Sequence, residues 1–230
     1  MSFTLRSALL GAALLSTQAA AVEFSFVSGN PAPEAFGNSY AQTLDGLTAI
    51  ATAWSTTGLG GRYQTAELEI YSGYGMGVCN RNEGVNCSTS GNMHALDNKD
   101  GTDLILFRFS SAVKLDSLTL LQFGGDSDLS LWAGTGSLNP ADLKPSALGS
   151  ASSFNNTSQV NDIKTVNLSN FIGTYDWLAV SARLAQVNDF AKLRTLKVEA
   201  VTSPVPEADS WAMLLAGLGL VGCAVRRRAS

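Results

Sequence analysis

The sequence predicts an all-β protein: a single β-sandwich domain of jelly-roll-like type, preceded by an N-terminal signal peptide and followed by a C-terminal transmembrane sorting helix. Three observations carry this expectation. Between residues 22 and 203 there is no long amphipathic helical pattern. Short runs rich in β-branched, aromatic and leucine residues recur instead, separated by Gly, Asn, Asp and Ser clusters, which is the spacing of a sandwich. Finally, 45% apolar residues in a chain of 230 supply enough material for one sizeable core.

Taken in order, the runs at 22–28, 66–72, 103–110, 117–123, 129–133, 164–168, 177–184 and 193–201 are the expected strands. Two-residue alternation places Leu68 and Ile70 inward against Glu67 and Glu69, and places Leu178, Val180, Ala182 and Leu184 on one buried face. Ile105, Phe107 and Phe109 form an inward row opposite Leu104, Leu106 and Arg108, so this strand is expected at the centre with much of both faces covered. The run 44–54 fits a short helix or a strand equally well. Residues 150–161 read as a polar loop, and 202–209 as a linker.

The two ends are the most specific parts of the chain. Arg6 precedes an apolar run over 8–15, and Ala19-Ala20-Ala21 supplies small residues for cleavage, so 1–21 reads as a secretory signal peptide with the mature chain starting at Val22. This implies the Sec export machinery and signal peptidase as partners. The domain then runs over 22–203. From Trp211 to Val225 the chain carries no charge, and Arg226, Arg227 and Arg228 follow at once. Fifteen residues at ~1.5 Å each span roughly 22 Å, short of the ~30 Å hydrocarbon core, and are expected to span it with local thinning or with Trp211 at the interface. The arginines would then stay on the cytoplasmic side and leave the body of the protein outside.

Val205-Pro206-Glu207, then an apolar segment rich in Ala, Gly and Leu, then the arginine cluster, resemble the PEP-CTERM sorting signal of Gram-negative bacteria over 204–230. Ala208 stands where that family has its second proline. Blocks in the body, His94-Ala95-Leu96-Asp97-Asn98, the strand from Asp103 to Phe109, Asp126-Ser127-Asp128 and Asp189-Phe190-Ala191-Lys192-Leu193, resemble exosortase-dependent surface proteins as well. The resemblance implies an exosortase as processing partner and a membrane-held intermediate. It further implies a final place in the cell envelope, on the surface or in an exopolysaccharide matrix or biofilm, and it carries over no catalytic residue.

An exported chain meets oxidising conditions, and Cys223 lies in the apolar tail, so Cys79 and Cys87 are the expected disulfide. Asp97, Asn98, Asp100 and Asp103 form one oxygen-rich turn and Asp126 and Asp128 another. Both are candidate Ca²⁺ ligand sets, because hard cations take six to eight oxygens, although Asp, Asn and Gly are also what β turns are made of. An EF-hand is excluded, since aligning Gly101 at its sixth position puts Leu96 where the first aspartate belongs.

Composition narrows the function classes. Fifteen basic against nineteen acidic residues argue against nucleic-acid binding, and a single histidine, His94, excludes most His-dependent chemistry. Gly125-Asp126-Ser127 looks like the serine block of a GDS-type hydrolase, but that chemistry needs a histidine later in the chain, and His94 precedes it. The expectation is an envelope or matrix component without catalytic activity. Two alternatives stand beside it: a Ca²⁺-dependent carbohydrate-binding module using Trp132 beside the acidic turns, and a glycan-active hydrolase using a pair of these aspartates.

Overall fold

The structure is a computed structural model that describes residues 21–31, 33–84, 94–122, 126–156, 162–184, 188–201 and 208–229. The expected signal peptide over 1–21 and the sorting residues Val205, Pro206 and Glu207 fall outside these, apart from Ala21, which opens the first strand. The chain forms two compact units, and the β-rich one spans Ala20–Val201.

Among its described residues this unit has thirteen strands: β1 (Ala21–Ser25), β2 (Ser39–Leu44), β3 (Leu47–Thr56), β4 (Tyr63–Thr65), β5 (Glu67–Tyr71), β6 (Gly75–Cys79), β7 (Leu96–Asp97), β8 (Asp103–Gln122), β9 (Leu129–Gly134), β10 (Ser152–Phe154), β11 (Ile163–Asn167), β12 (Tyr175–Ala182) and β13 (Phe190–Ala200). The all-β class is therefore as expected. The arrangement differs from two separate sandwich sheets, because every strand belongs to one continuous, open sheet with the path β10-β9-β12-β8-β13-β6-β5.

The physical reason is β8. The two strands expected at 103–110 and 117–123 are one strand of 20 residues. Its first part pairs with β3, from Ser55 opposite Asp103 to Ala49 opposite Phe109, and with β12, from Ser181 opposite Leu104 to Trp177 opposite Arg108. Its second part pairs with β11 and β13 instead. Between the two parts Ser110 and Ser111 are exposed, where β8 passes from one set of neighbours to the other.

One core joins both parts. Ile105, Phe107 and Phe109 of the first part and Leu118 and Leu120 of the second belong to the same buried cluster as Phe24 and Phe26. The rings of Phe26 and Phe107 stack with centroids 5.3 Å apart. Leu104 and Leu106 point the other way, into a smaller cluster with Trp54, Tyr63, Trp132 and Ala179. Both faces of this stretch are thus covered, as its continuous apolar run requires.

The run 44–54 is strand. Asp45 and Gly46, with φ of 50° and 78°, make the two-residue turn joining β2 to β3, a turn that needs left-handed backbone at both positions. Three details depart from expectation. Leu184 lies beyond the end of β12 and is 40% exposed, so it leaves the inward row. The segment 150–161 contains β10, which pairs with β9. Trp132 is buried, its indole Nε1 donating to the Gly149 carbonyl at 3.0 Å, and is not the exposed aromatic a sugar would stack on.

The second unit contains helix α1 (Ala208–Ala229). Its described side chains, 212–228, are exposed, and Arg226, Arg227 and Arg228 fill its last turn, where the carbonyl end of the helix favours positive charge. The transmembrane expectation for 211–225 is corrected: among the described residues no helix is long and apolar enough to cross a membrane. The apolar stretch from Trp211 to Val225 is rich in Ala and Gly as well as short, and the arginines occupy the turn that would have lengthened it.

Candidate functional site

The two acidic turns are brought to one end of the β unit by β7 and β13. Phe190 pairs with Asp97 and Ala191 with Leu96, and Asp126 forms an isolated bridge with Asp189. Residues 94–96 pass close over β6. The Val78 N–H donates to the Ala95 carbonyl at 3.3 Å, and a Cβ on Gly77 would collide with the His94 carbonyl. Glycine is required there by this approach of two backbones. His94 is buried with its ring 4.4 Å from that of Tyr71. Lys192 Nζ donates to the His94 carbonyl at 3.0 Å and sits 3.7 Å above the Tyr71 ring. Burial lowers this amine to about 7, with Glu69 pulling the other way.

The candidate ligands divide into two groups. In the first, Asp97 and Asp103 face each other across the loop that joins β7 to β8. The Asp97 N–H donates to Asp103 Oδ2 at 3.3 Å, and the Lys99 N–H to Asp97 Oδ1 at 2.8 Å. The remaining oxygens, Asp97 Oδ2 and Asp103 Oδ1, are buried without a hydrogen-bond partner. Burial, then the charge of Glu83, raises the Asp97 carboxyl to about 8. Burial, then the charge of Asp97, raises Asp103 well above the ordinary carboxylate range. Glu83 is itself raised to about 7, chiefly by burial.

The second group is Asp126, Asp128 and Asp189, each offering a carboxylate oxygen within 4.8 Å of the others. Here the fold supplies partners. Arg183 forms an ion pair with Asp128 Oδ2, the Asn156 N–H donates to Asp128 Oδ1 at 2.6 Å, and the Asp128 N–H donates to Asp189 Oδ1 at 3.1 Å. Asn98 joins this group, not the first: its Nδ2 donates to Asp189 Oδ2 and to the Arg183 carbonyl, at 2.5 and 2.9 Å. Burial raises Asp189 to about 6 against these bonds.

Asp100 belongs to neither group; it is exposed in the left-handed region with φ of 60°. Asp189, which spacing did not single out as a ligand, is central to the second. Ser127 of the hydrolase-like block is fully buried, and its Oγ accepts from Asn156 Nδ2 at 2.7 Å, which occupies it in the fold. Cys79 is buried on β6, while Cys87, its expected disulfide partner, lies outside the described residues.

The sorting tail is where comparison with known proteins is informative. No curated protein matches the chain at a significant level. Residues 204–229 match the family model of the PEP-CTERM protein-sorting motif, and that span takes in Pro206, Glu207, all but the first residues of the linker, and α1 with its terminal arginines. Residues 204–229 are thus a PEP-CTERM protein-sorting motif, and the motif implies an exported protein targeted to the cell envelope with an exosortase as its processing partner.

Proposed function

We propose that the β unit is a non-catalytic component of an exopolysaccharide-rich layer outside a Gram-negative cell, placed there by exosortase processing of the tail. The observation that carries this reading is the sorting motif at 204–229. In this reading the route begins with Sec export and removal of 1–21 by signal peptidase, and the oxidising exterior closes a Cys79–Cys87 disulfide. The polar side chains in the second acidic group support a structural role, because Asp128, Asp189, Asn98 and Asn156 are bonded to one another or to Arg183. The carbohydrate-binding alternative loses the aromatic platform it relied on, since Trp132 is buried.

The test is to replace Pro206 and Glu207 with alanine in a host that carries an exosortase, and to follow the protein by size and by fraction. The parent is expected to lose its C-terminal segment and to be found in the matrix fraction, with the variant retained unprocessed. Equal processing of both would remove the motif from the account. Unchanged matrix retention in a strain that makes no exopolysaccharide would remove the polysaccharide association.

A further inference from the structure

We propose that Asp97 and Asp103 form the carboxylate pair of a binding site for a hard divalent cation of the Ca²⁺ class, built where β7 and the start of β8 meet. The two aspartates are 1% and 0% exposed. Each spends one oxygen on a backbone N–H and leaves the other, Asp97 Oδ2 or Asp103 Oδ1, buried and unpartnered. A buried carboxylate oxygen without a donor is costly, and a second beside it more so.

The surroundings supply oxygens, and the one cation felt by Asp97, Lys99, acts on it without an ion pair. Ser55 lies opposite Asp103 in the pairing of β3 with β8, and its buried hydroxyl favours the ionised Asp103 carboxyl. The buried Tyr63 hydroxyl lies near enough to Asp103 to feel its charge. The charge of Glu83, in the turn after β6, acts on both aspartates. Its turn is tied to the loop after β7 by Asn82 Nδ2, which donates to the Asp100 carbonyl at 2.7 Å. Among the described residues no ion pair reaches Asp97 or Asp103.

A single proton shared between the aspartates satisfies one pair of oxygens and leaves one negative charge on the buried pair. A divalent cation takes both orphan oxygens and offsets the neighbouring carboxylate at once. Small hard cations take all-oxygen sets of this kind, and modules that work outside the cell bind Ca²⁺ at about 10⁻⁴–10⁻³ M. The second acidic group differs in that Arg183 already supplies its positive charge.

The experiment uses the exported protein purified from its host, stripped with chelator and melted in EGTA, in millimolar CaCl₂ and in millimolar MgCl₂. Ca²⁺ is expected to raise Tm by about 5–10 °C at saturation, since a ligand bound only by the folded state stabilises it by mass action. Asp103→Asn is expected to lose that rise, whereas Asp126→Asn, in the second group, keeps it. Should Asp103→Asn fail to fold, Asp97→Asn is melted in its place, and Tb³⁺ luminescence sensitised by Tyr63 is titrated on the parent and displaced with Ca²⁺. An unchanged melting curve between EGTA and CaCl₂ together with no displaceable Tb³⁺ signal overturns the site, and so does a rise abolished by Asp126→Asn but kept by Asp103→Asn.

Discussion

Asn98 and Asp189, 91 positions apart, hold each other in both directions: the Asn98 amide donates to Asp189 Oδ2, and the Asp189 N–H donates to Asn98 Oδ1 at 3.1 Å. The pair ties the loop after β7 to the entry of β13, and the Asn98 amide also reaches the Arg183 carbonyl at the end of β12.

Asn98→Ala removes all three bonds and leaves Asp189 short of a donor in a buried setting. The expected loss is about 2–4 kcal/mol, read as a lower midpoint in urea unfolding with an unchanged slope. A midpoint equal to the parent's would show that the clasp contributes nothing net. Asn98→Asp keeps the shape but puts a carboxylate against Asp189, and is expected to be worse than alanine at pH 8.

Stability in chelator is expected to fall as pH rises from 5 to 7. Asp97, Glu83 and Glu69 are raised to about 8, 7 and 7, in each case first by burial. A carboxyl with a raised folded pKa binds more protons folded than unfolded. Its contribution is therefore complete below its unfolded pKa of about 4 and is lost as pH climbs through the folded value. Lys192, lowered to about 7, acts with the opposite sign, but only between about 7 and its unfolded value near 10.4. A Tm that climbs from pH 5 to pH 7 in EGTA would contradict this account.

Gly77→Ala is expected to prevent recovery of folded protein. The new Cβ would meet backbone, the His94 carbonyl and Ala95 Cα, which cannot rotate away. Gly217→Ala in α1 meets nothing within 4 Å and is expected to leave the β unit's melting unchanged. Soluble Gly77→Ala with a parental Tm would show that the strand β6 and the 94–96 segment are free to separate.

For the exported form, alkylation without reduction is expected to leave Cys79 and Cys87 unlabelled, and alkylation after reduction to label both. Labelling of either in the unreduced protein would exclude their pairing. The closed loop is short, so breaking it with Cys87→Ser is expected to cost about 2–3 kcal/mol.

What the sequence disclosed, and what it hid, follows from the range over which each signal acts. The inward pair Leu68 and Ile70 and the doubly apolar run from Leu104 to Phe109 are local patterns and face as expected, whereas Glu67, expected on the opposite face, is fully buried. The tail was legible for the same reason, since its three parts lie within one short stretch. β8 read as two strands because Ser110, Ser111, Lys114 and Asp116 interrupt its apolar pattern, yet they are polar only because the strand is uncovered where it changes neighbours. The short strand β6, Gly-Met-Gly-Val-Cys, carries two glycines and no visible strand signal. Its glycine is explained only by the chain that crosses it. Asp189 was hidden as a site residue because its partners, Asn98 and Asp128, are 91 and 61 residues away. Trp132 misled because a tryptophan beside acidic turns looks alike whether it is buried in a cluster with Leu148 and Ala151 or open to a ligand.

The length of β8 determines how the protein comes apart. β3, β12, β11 and β13 all take ladder bonds from this one strand, and Phe26, just beyond β1, stacks on Phe107 of β8. Among the described residues, both parts of the sheet share β8, so neither part can lose it without stripping ladder bonds from the other. Opening is therefore expected to be all-or-none, without the partial breathing that exposes cleavable segments to proteases. In a compartment with no ATP-driven refolding, a chain built around a shared spine resists digestion for as long as its global unfolding is rare.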